Sequence, residues 1–125
     1  MIGNSYLQSL CDYPEEDTSI NQLLELLKAK DKKFIDSLTE EVDINLCNEK
    51  EIEYLTKVSA LIDYNFQLHN IDVPKWLRNE KLAFNKPYFY SKRISDFEKI
   101  HLMYSNPAPF RQRNAYYDLT SISRI

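Results

Sequence analysis

Gly3 is the only glycine in this chain of 125 residues. Glycine supplies the backbone freedom of phosphate-binding loops, of the dinucleotide fingerprint and of tight hairpin turns. The sequence therefore excludes nucleotide binding by a P-loop or a Rossmann turn and argues against a hairpin-rich fold. No other motif with a dependable chemical meaning is present, so the sequence alone does not identify an activity.

Apolar residues recur at helical spacing in the first half of the chain. Asn48 followed by Glu51 fits an N-cap with a carboxylate at N3, and it opens the strongest predicted helix, over about 49–69. The apolar residues of this helix cover more than a narrow stripe, which predicts a central position. Residues 19–42 predict either two amphipathic helices with a break near Lys30 or one bent helix.

The second half contains one further clear helix and several ambiguous segments. Ser95 is predicted to cap a helix over 95–105 whose apolar side includes Phe97, Ile100 and Tyr104, with His101 partly buried among them. A short helix over 73–79 is predicted to place Trp76 in the core or an interface.

These elements predict an all-α fold, a small helical domain of about five helices formed by residues 1–125. The helix over 49–69 is expected to pack against residues 19–42 and 95–105. Residues 82–90 are expected to be a loop or an extended segment, and one short strand near Tyr116 is possible.

The residues that commonly bind metals or catalyse reactions are sparse. Cys11, Cys47, His69 and His101 are far apart in the chain and form no CxxC or HxxxH pair, so no metal and no cofactor are expected. His101 has no visible nucleophile to activate, which favours a non-enzymatic protein. The sequence has no targeting segment and no apolar run long enough for a membrane helix, and we expect a reduced, cytoplasmic protein without membrane contact.

Charge is distributed unevenly along the chain. Residues 1–60 carry 13 acids against 6 lysines, a net charge of -7, whereas residues 61–125 carry 6 acids against 10 lysines and arginines, a net charge of +4. The two halves could complement each other within the fold, or they could present an acidic and a basic face to partners.

The basic half is also rich in aromatic residues, a combination typical of protein interfaces. It predicts a protein partner or a homodimer, and a regulatory function through binding. Nucleic-acid binding, with bases stacked on the rings and phosphates on the cations, is the alternative. The candidate partner-binding residues are Tyr88, Tyr90, Arg93, Phe110, Arg111, Arg113, Asn114, Tyr116 and Tyr117.

The run from Pro109 to Asp118, followed by residues 122–124, resembles a C-terminal segment of small uncharacterised prokaryotic proteins linked to toxin-antitoxin or defence loci. The resemblance covers roughly a sixth of the chain. It implies a cytoplasmic accessory or antitoxin-like protein that works by binding a partner, and it implies no catalytic residue. The matching positions are Phe110, Arg113, Asn114 and Tyr117.

Overall fold

Helices dominate the computed structural model, which describes residues 1–90 and 94–119. This confirms the all-α prediction, with six α-helices among the described residues where about five were expected. The helices are α1 (Ser5–Cys11), α2 (Glu16–Lys28), α3 (Lys32–Leu38), α4 (Glu49–Leu68), α5 (Asp96–Ser105) and α6 (Ala108–Arg113). Two three-residue strands, β1 (Tyr88–Tyr90) and β2 (Ala115–Tyr117), and two 3-10 turns, Ile44–Leu46 and Lys75–Arg78, complete the described elements.

The central helix α4 begins where its sequence predicts. Asn48 accepts a hydrogen bond from the Glu51 amide at 2.8 Å, and the Glu51 carboxylate accepts one from the Asn48 amide at 2.9 Å, which completes a reciprocal cap. Buried residues lie on most sides of this helix, and α2, α6 and β2 all contact it. A helix buried on most sides acts as the core around which the other elements are placed.

Two helices, rather than one bent helix, cover most of residues 19–42. Lys30 adopts a left-handed conformation with φ of 53°, and Asp31 caps α3 by accepting a hydrogen bond from the Phe34 amide at 2.9 Å. Helix α2 begins earlier than the predicted helical range of 19–42, because its N-cap is Glu15. Ser19 is buried.

The two strands form a parallel pair in which Tyr88, Phe89 and Tyr90 lie opposite Ala115, Tyr116 and Tyr117. The expected short strand near Tyr116 is therefore present, and β1 provides its partner. Along a parallel pair the backbone groups of successive residues point alternately toward and away from the partner strand. On β2, those of Tyr117 point away from β1, and the Asn106 side chain binds both: its oxygen accepts from the Tyr117 amide at 3.0 Å and its nitrogen donates to the Tyr117 carbonyl at 3.1 Å.

The core extends from the N-terminal segment to the strands and includes Ile2, Leu27, Phe66 and Tyr117. Trp76 belongs to it, as expected, and its ring N–H donates to the Leu38 carbonyl at 2.8 Å. The helix predicted around Trp76 is a single 3-10 turn. Helix α5 differs more from expectation, since it rests mainly on β2 rather than on α4.

Candidate functional site

Most of the predicted partner-binding residues lie together around α6 and β2, where the structure turns them inward. Phe110 and Tyr117 are fully buried, and Arg113 and Tyr116 are nearly so. Arg111 is exposed. Four of these five residues therefore form part of the interior of this chain.

Arg113 is held by a complete set of acceptors. Its guanidinium donates to the Ser59 hydroxyl at 2.9 Å and to the Asp63 carboxylate at 2.8 Å. It also donates to the carbonyls of Pro109 at 2.8 Å and Leu77 at 2.7 Å. A buried cation needs both a counter-charge and hydrogen-bond partners, and Arg113 has both. Its role is to join α6, α4 and the 3-10 turn Lys75–Arg78.

The counter-charge, Asp63, is fully buried on α4. It also accepts two hydrogen bonds from Arg78, at 3.0 and 3.1 Å, and one from Gln67 at 2.8 Å. Burial raises the pKa of Asp63, but the hydrogen bonds from Arg78, Gln67 and Arg113 outweigh it and hold that pKa below its ordinary value. Asp63 therefore stays ionised near neutral pH and keeps Arg113 in place.

Tyr117 fills the space between the strands and α4. Its hydroxyl donates to the Lys57 carbonyl at 3.0 Å, and its ring packs 5.7 Å from Phe110 and 5.1 Å from Tyr90, measured between centroids. Complete burial raises the pKa of Tyr117 far above its ordinary value. These contacts make Tyr117 a core residue of the kind that fixes a strand onto a helix.

The two tyrosines of β1 are half-buried and bind acids at the start of α2. The Tyr88 hydroxyl lies 3.3 Å from Glu16, and the Tyr90 hydroxyl lies 3.1 Å from Asp17. Burial, together with the hydrogen bond to Asp17, raises the pKa of Tyr90 to about 12. The Lys57 ammonium lies 4.6 Å from the centre of the Tyr88 ring and pairs with Glu16. These groups fasten β1 to α2 and α4.

Two other predicted residues have different surroundings. Asn114 is half-buried with φ of 55°, ends α6 in the left-handed conformation, and donates to the Phe84 carbonyl at 3.2 Å. Arg93 lies outside the described residues.

The ion pairs between two described residues each join partners from the same half of the chain. Lys57 pairs with Glu16 and Glu53 in the acidic half, and Asp63 pairs with two arginines in the basic half. None of the ion pairs between described side chains joins the acids of residues 1–60 to the cations of residues 61–125.

Helix α5 exposes the side that its sequence predicts to be buried. Phe97 is 80% exposed, Ile100 is 55% exposed and Tyr104 is 83% exposed. Their spacing of three and four residues places them on one face, which we call the α5 stripe. Leu102 is the residue of α5 that is buried. The expectation that the stripe faces the core was therefore wrong, because α5 packs on β2 through the opposite side.

The residues next to the stripe are also exposed. His101 is exposed rather than partly buried as expected. Asp96 and Glu98 lie in the first turn and are exposed. The lysine of this helix, Lys99, is directed back toward the fold, with its ammonium 5.7 Å from the centre of the Phe89 ring. The stripe thus has acidic neighbours at its N-terminal end.

The exposure of this surface was not predicted from the sequence, although a signal was present. The helix carries apolar residues at Leu102 and Met103 as well as along the stripe, so it has two apolar sides. A helix within one small domain needs only one of them for packing. Two apolar sides on a ten-residue surface helix therefore indicate that one of them faces solvent in this fold.

A cleft of about 450 Å³ beside α5 contains His101, Glu98, Ser105 and Asp118 in its lining. In the described structure, His101 makes no hydrogen bond to Ser105 or Glu98, so the contact between nucleophile and base that acyl-transfer chemistry requires is absent between these residues. Within residues 1–90 and 94–119, no group of three or more histidines, cysteines or acids is arranged to hold a metal ion.

Comparison with protein-family models, with curated proteins and with solved structures finds no match for this chain. Within the same described residues, each helix is too short or too polar to cross a membrane. Among the described residues, the α5 stripe places three large, exposed side chains on one face of one helix.

Proposed function

We propose that this protein is a non-enzymatic protein-binding module that docks on its partner through the α5 stripe. The observation that carries the proposal is the exposure of Phe97, Ile100 and Tyr104 on one face of one helix. Anchors at positions i, i+3 and i+7 are the pattern by which an amphipathic helix binds in an apolar groove of another protein.

The grouping of these three side chains on one face favours binding to another protein. Single exposed apolar residues are ordinary on protein surfaces, whereas a contiguous apolar patch marks a binding site. Other large apolar residues with high exposure, such as Leu46 and Leu68, lie on separate elements. Covering two aromatic rings and an isoleucine would remove a large apolar area from water, which favours association.

The predicted residues of the C-terminal half support this surface from below. Phe110, Arg113 and Tyr117 fix β2 to α4, and α5 rests on β2. If the resemblance of this segment to toxin-antitoxin and defence-associated proteins reflects common ancestry, the matching residues would maintain the platform for α5. The protein would then be a cytoplasmic, antitoxin-like accessory protein that acts by binding.

Protein binding is favoured over nucleic-acid binding by the position of the rings. Stacking requires ring faces that bases can reach beside free cations. Phe110, Tyr116 and Tyr117 are buried, and Arg113 is bound to Asp63.

The test compares two aliphatic residues with nearly equal exposure, Ile100 at 55% and Leu68 at 52%. A tagged chain is purified gently from the cells that make it, as wild type, Ile100→Gln and Leu68→Gln, and the proteins that accompany it are identified and quantified. We expect a stoichiometric protein with wild type and with Leu68→Gln. Its affinity should fall at least tenfold with Ile100→Gln, as for an interface hot spot.

Equal binding by both variants would reject the α5 stripe as the docking surface. Absence of any stoichiometric protein, together with an ultraviolet absorbance typical of nucleic acid, would overturn protein binding in favour of the alternative. In that case affinity should fall steeply as salt rises.

A further inference from the structure

This inference rests on the proposed function and concerns the chemistry of the partner. We infer that the partner has an apolar groove that receives α5 as a helix. Lysine or arginine residues lie at the end of the groove that accepts the N-terminus of α5. The α5 stripe requires an apolar surface on the partner, and the carboxylates near the stripe require cations beside that surface.

Acidic side chains lie at the N-terminal end of the stripe. At 100° per residue, Asp96 projects about 70° to one side of the centre of the stripe, whereas exposed His101 projects about 70° to the other side and Glu98 lies farther round, at about 130°. The Asp96 side chain is fully exposed, and Glu98 is exposed. Lys99 is half-buried beneath the helix against Phe89 and lies 3.9 Å from Asp96. A groove wall at the N-terminal end of the stripe therefore meets the Asp96 carboxylate, and it reaches Glu98 where it wraps around the first turn of the helix.

The size of the stripe argues for a groove rather than a flat contact. Three large side chains with these exposures offer on the order of 400 Å², whereas a stable interface needs about 800 Å² from each partner. A second copy of α5 laid against the first would cover little more than the stripe. A groove also encloses both flanks of the helix, which adds the missing area and brings cations next to Asp96 and Glu98.

The same charges argue against a membrane as the occupant. Helices that lie in the membrane interface carry lysine and arginine beside their apolar face, because membrane surfaces are commonly anionic. On α5 the fully exposed charge beside the stripe is the Asp96 carboxylate, and the last turn contains no basic residue.

The first experiment locates the contact in the full-length protein. Phe97 is replaced by the photoreactive residue p-benzoylphenylalanine, and in a control chain Gln22, exposed on α2, is replaced in the same way. After illumination in cells, mass spectrometry identifies the cross-linked residue of the partner. We expect cross-links from position 97 only, to an apolar groove with lysine or arginine beside it.

The second experiment measures the contribution of charge with the captured protein after purification. Asp96→Asn with Glu98→Gln removes two carboxylates and keeps their size, and Glu40→Gln with Glu41→Gln makes the same change in net charge on an exposed loop. We expect the first pair to weaken binding roughly three- to tenfold and to reduce its salt dependence. The second pair should leave both unchanged.

Each outcome separates the inference from the proposed function. If a protein is captured through position 97 but the two double variants bind equally, the basic groove is wrong and protein binding stands. A cross-link to a second copy of this chain, or sedimentation of wild type with vesicles of phosphatidylcholine and phosphatidylserine without a protein adduct, overturns the groove in favour of that occupant. If positions 97 and 22 give the same adducts, or neither gives one, both proposals fail.

Discussion

The α6–β2 region and helix α5 are neighbours in the chain and in space, yet they use similar residue types in opposite ways. Around α6 and β2, an arginine and several aromatic rings face inward, with each polar group bound to a specific partner. On α5, two aromatic rings and an isoleucine face solvent. The composition drew attention to the α6–β2 region and not to α5, because the direction of packing, which decides which side chains face solvent, is not contained in composition.

The strongest test of this difference compares Arg113 with Arg111, two residues before it on α6. Arg113→Met should lower the free energy of unfolding by about 3–5 kcal/mol, because it leaves Asp63 and several buried acceptors without their donor. Arg111→Met should change it by less than about 0.5 kcal/mol, since Arg111 is exposed. Urea denaturation at neutral pH measures both.

Equal effects of the two substitutions would show that Arg113 is not the buried anchor described above. A joint replacement of both arginines is a poor test of partner binding, because the change at Arg113 by itself lowers the free energy of unfolding.

A second test addresses the two sides of α5. Leu102→Ala should destabilise the protein by about 2–3 kcal/mol, since Leu102 is the buried contact of this helix. Ile100→Ala, on the stripe, should stay within about 0.5 kcal/mol of wild type. Urea denaturation gives the totals, and hydrogen exchange of the α5 amides shows whether the loss is local to this helix.

If Ile100→Ala proved as costly as Leu102→Ala, the stripe would be packed in solution and the docking surface would be lost.

A smaller effect follows from the lowered pKa of Asp63. Because its folded pKa lies below the ordinary value of 3.8, the ionised carboxylate stabilises the fold above that value, and this stability is lost as pH falls through the folded pKa. Asp63→Asn should thus be most destabilising at neutral pH, and its difference from wild type should shrink as pH drops below about 4. Urea denaturation across pH 3 to 7 measures the difference.

Asp36→Asn, at an exposed position on α3, serves as the control and should show little such change. A difference for Asp63→Asn that is constant with pH would mean that the carboxylate is not held by its arginines.

Local signals in the sequence predicted local structure well. Asn48 and Ser95 cap their helices as predicted, because a cap depends on a side chain and an amide three residues away. Helix α6, six residues that include Pro109, was not predicted. A helix this short depends on tertiary contacts, here those of Phe110 and Arg113, rather than on propensity.

The candidate site depended on longer-range information. The role of Arg113 requires Asp63, which lies 50 residues away in sequence. The orientation of α5 requires β2, and β2 exists as a strand only because β1 pairs with it across 27 residues. Periodicity identified the members of the α5 stripe correctly, but a helix with two apolar sides does not reveal which side its neighbour covers.

The side chain of Asn106 has a consequence for how this protein behaves at high concentration. A strand edge with unpaired amides and carbonyls is a template on which further strands assemble into aggregates. By binding both backbone groups of Tyr117, Asn106 occupies the position that an incoming strand would need. A single amide thus blocks strand addition at Tyr117, which protects the molecule in a crowded solution from growth along that edge of β2.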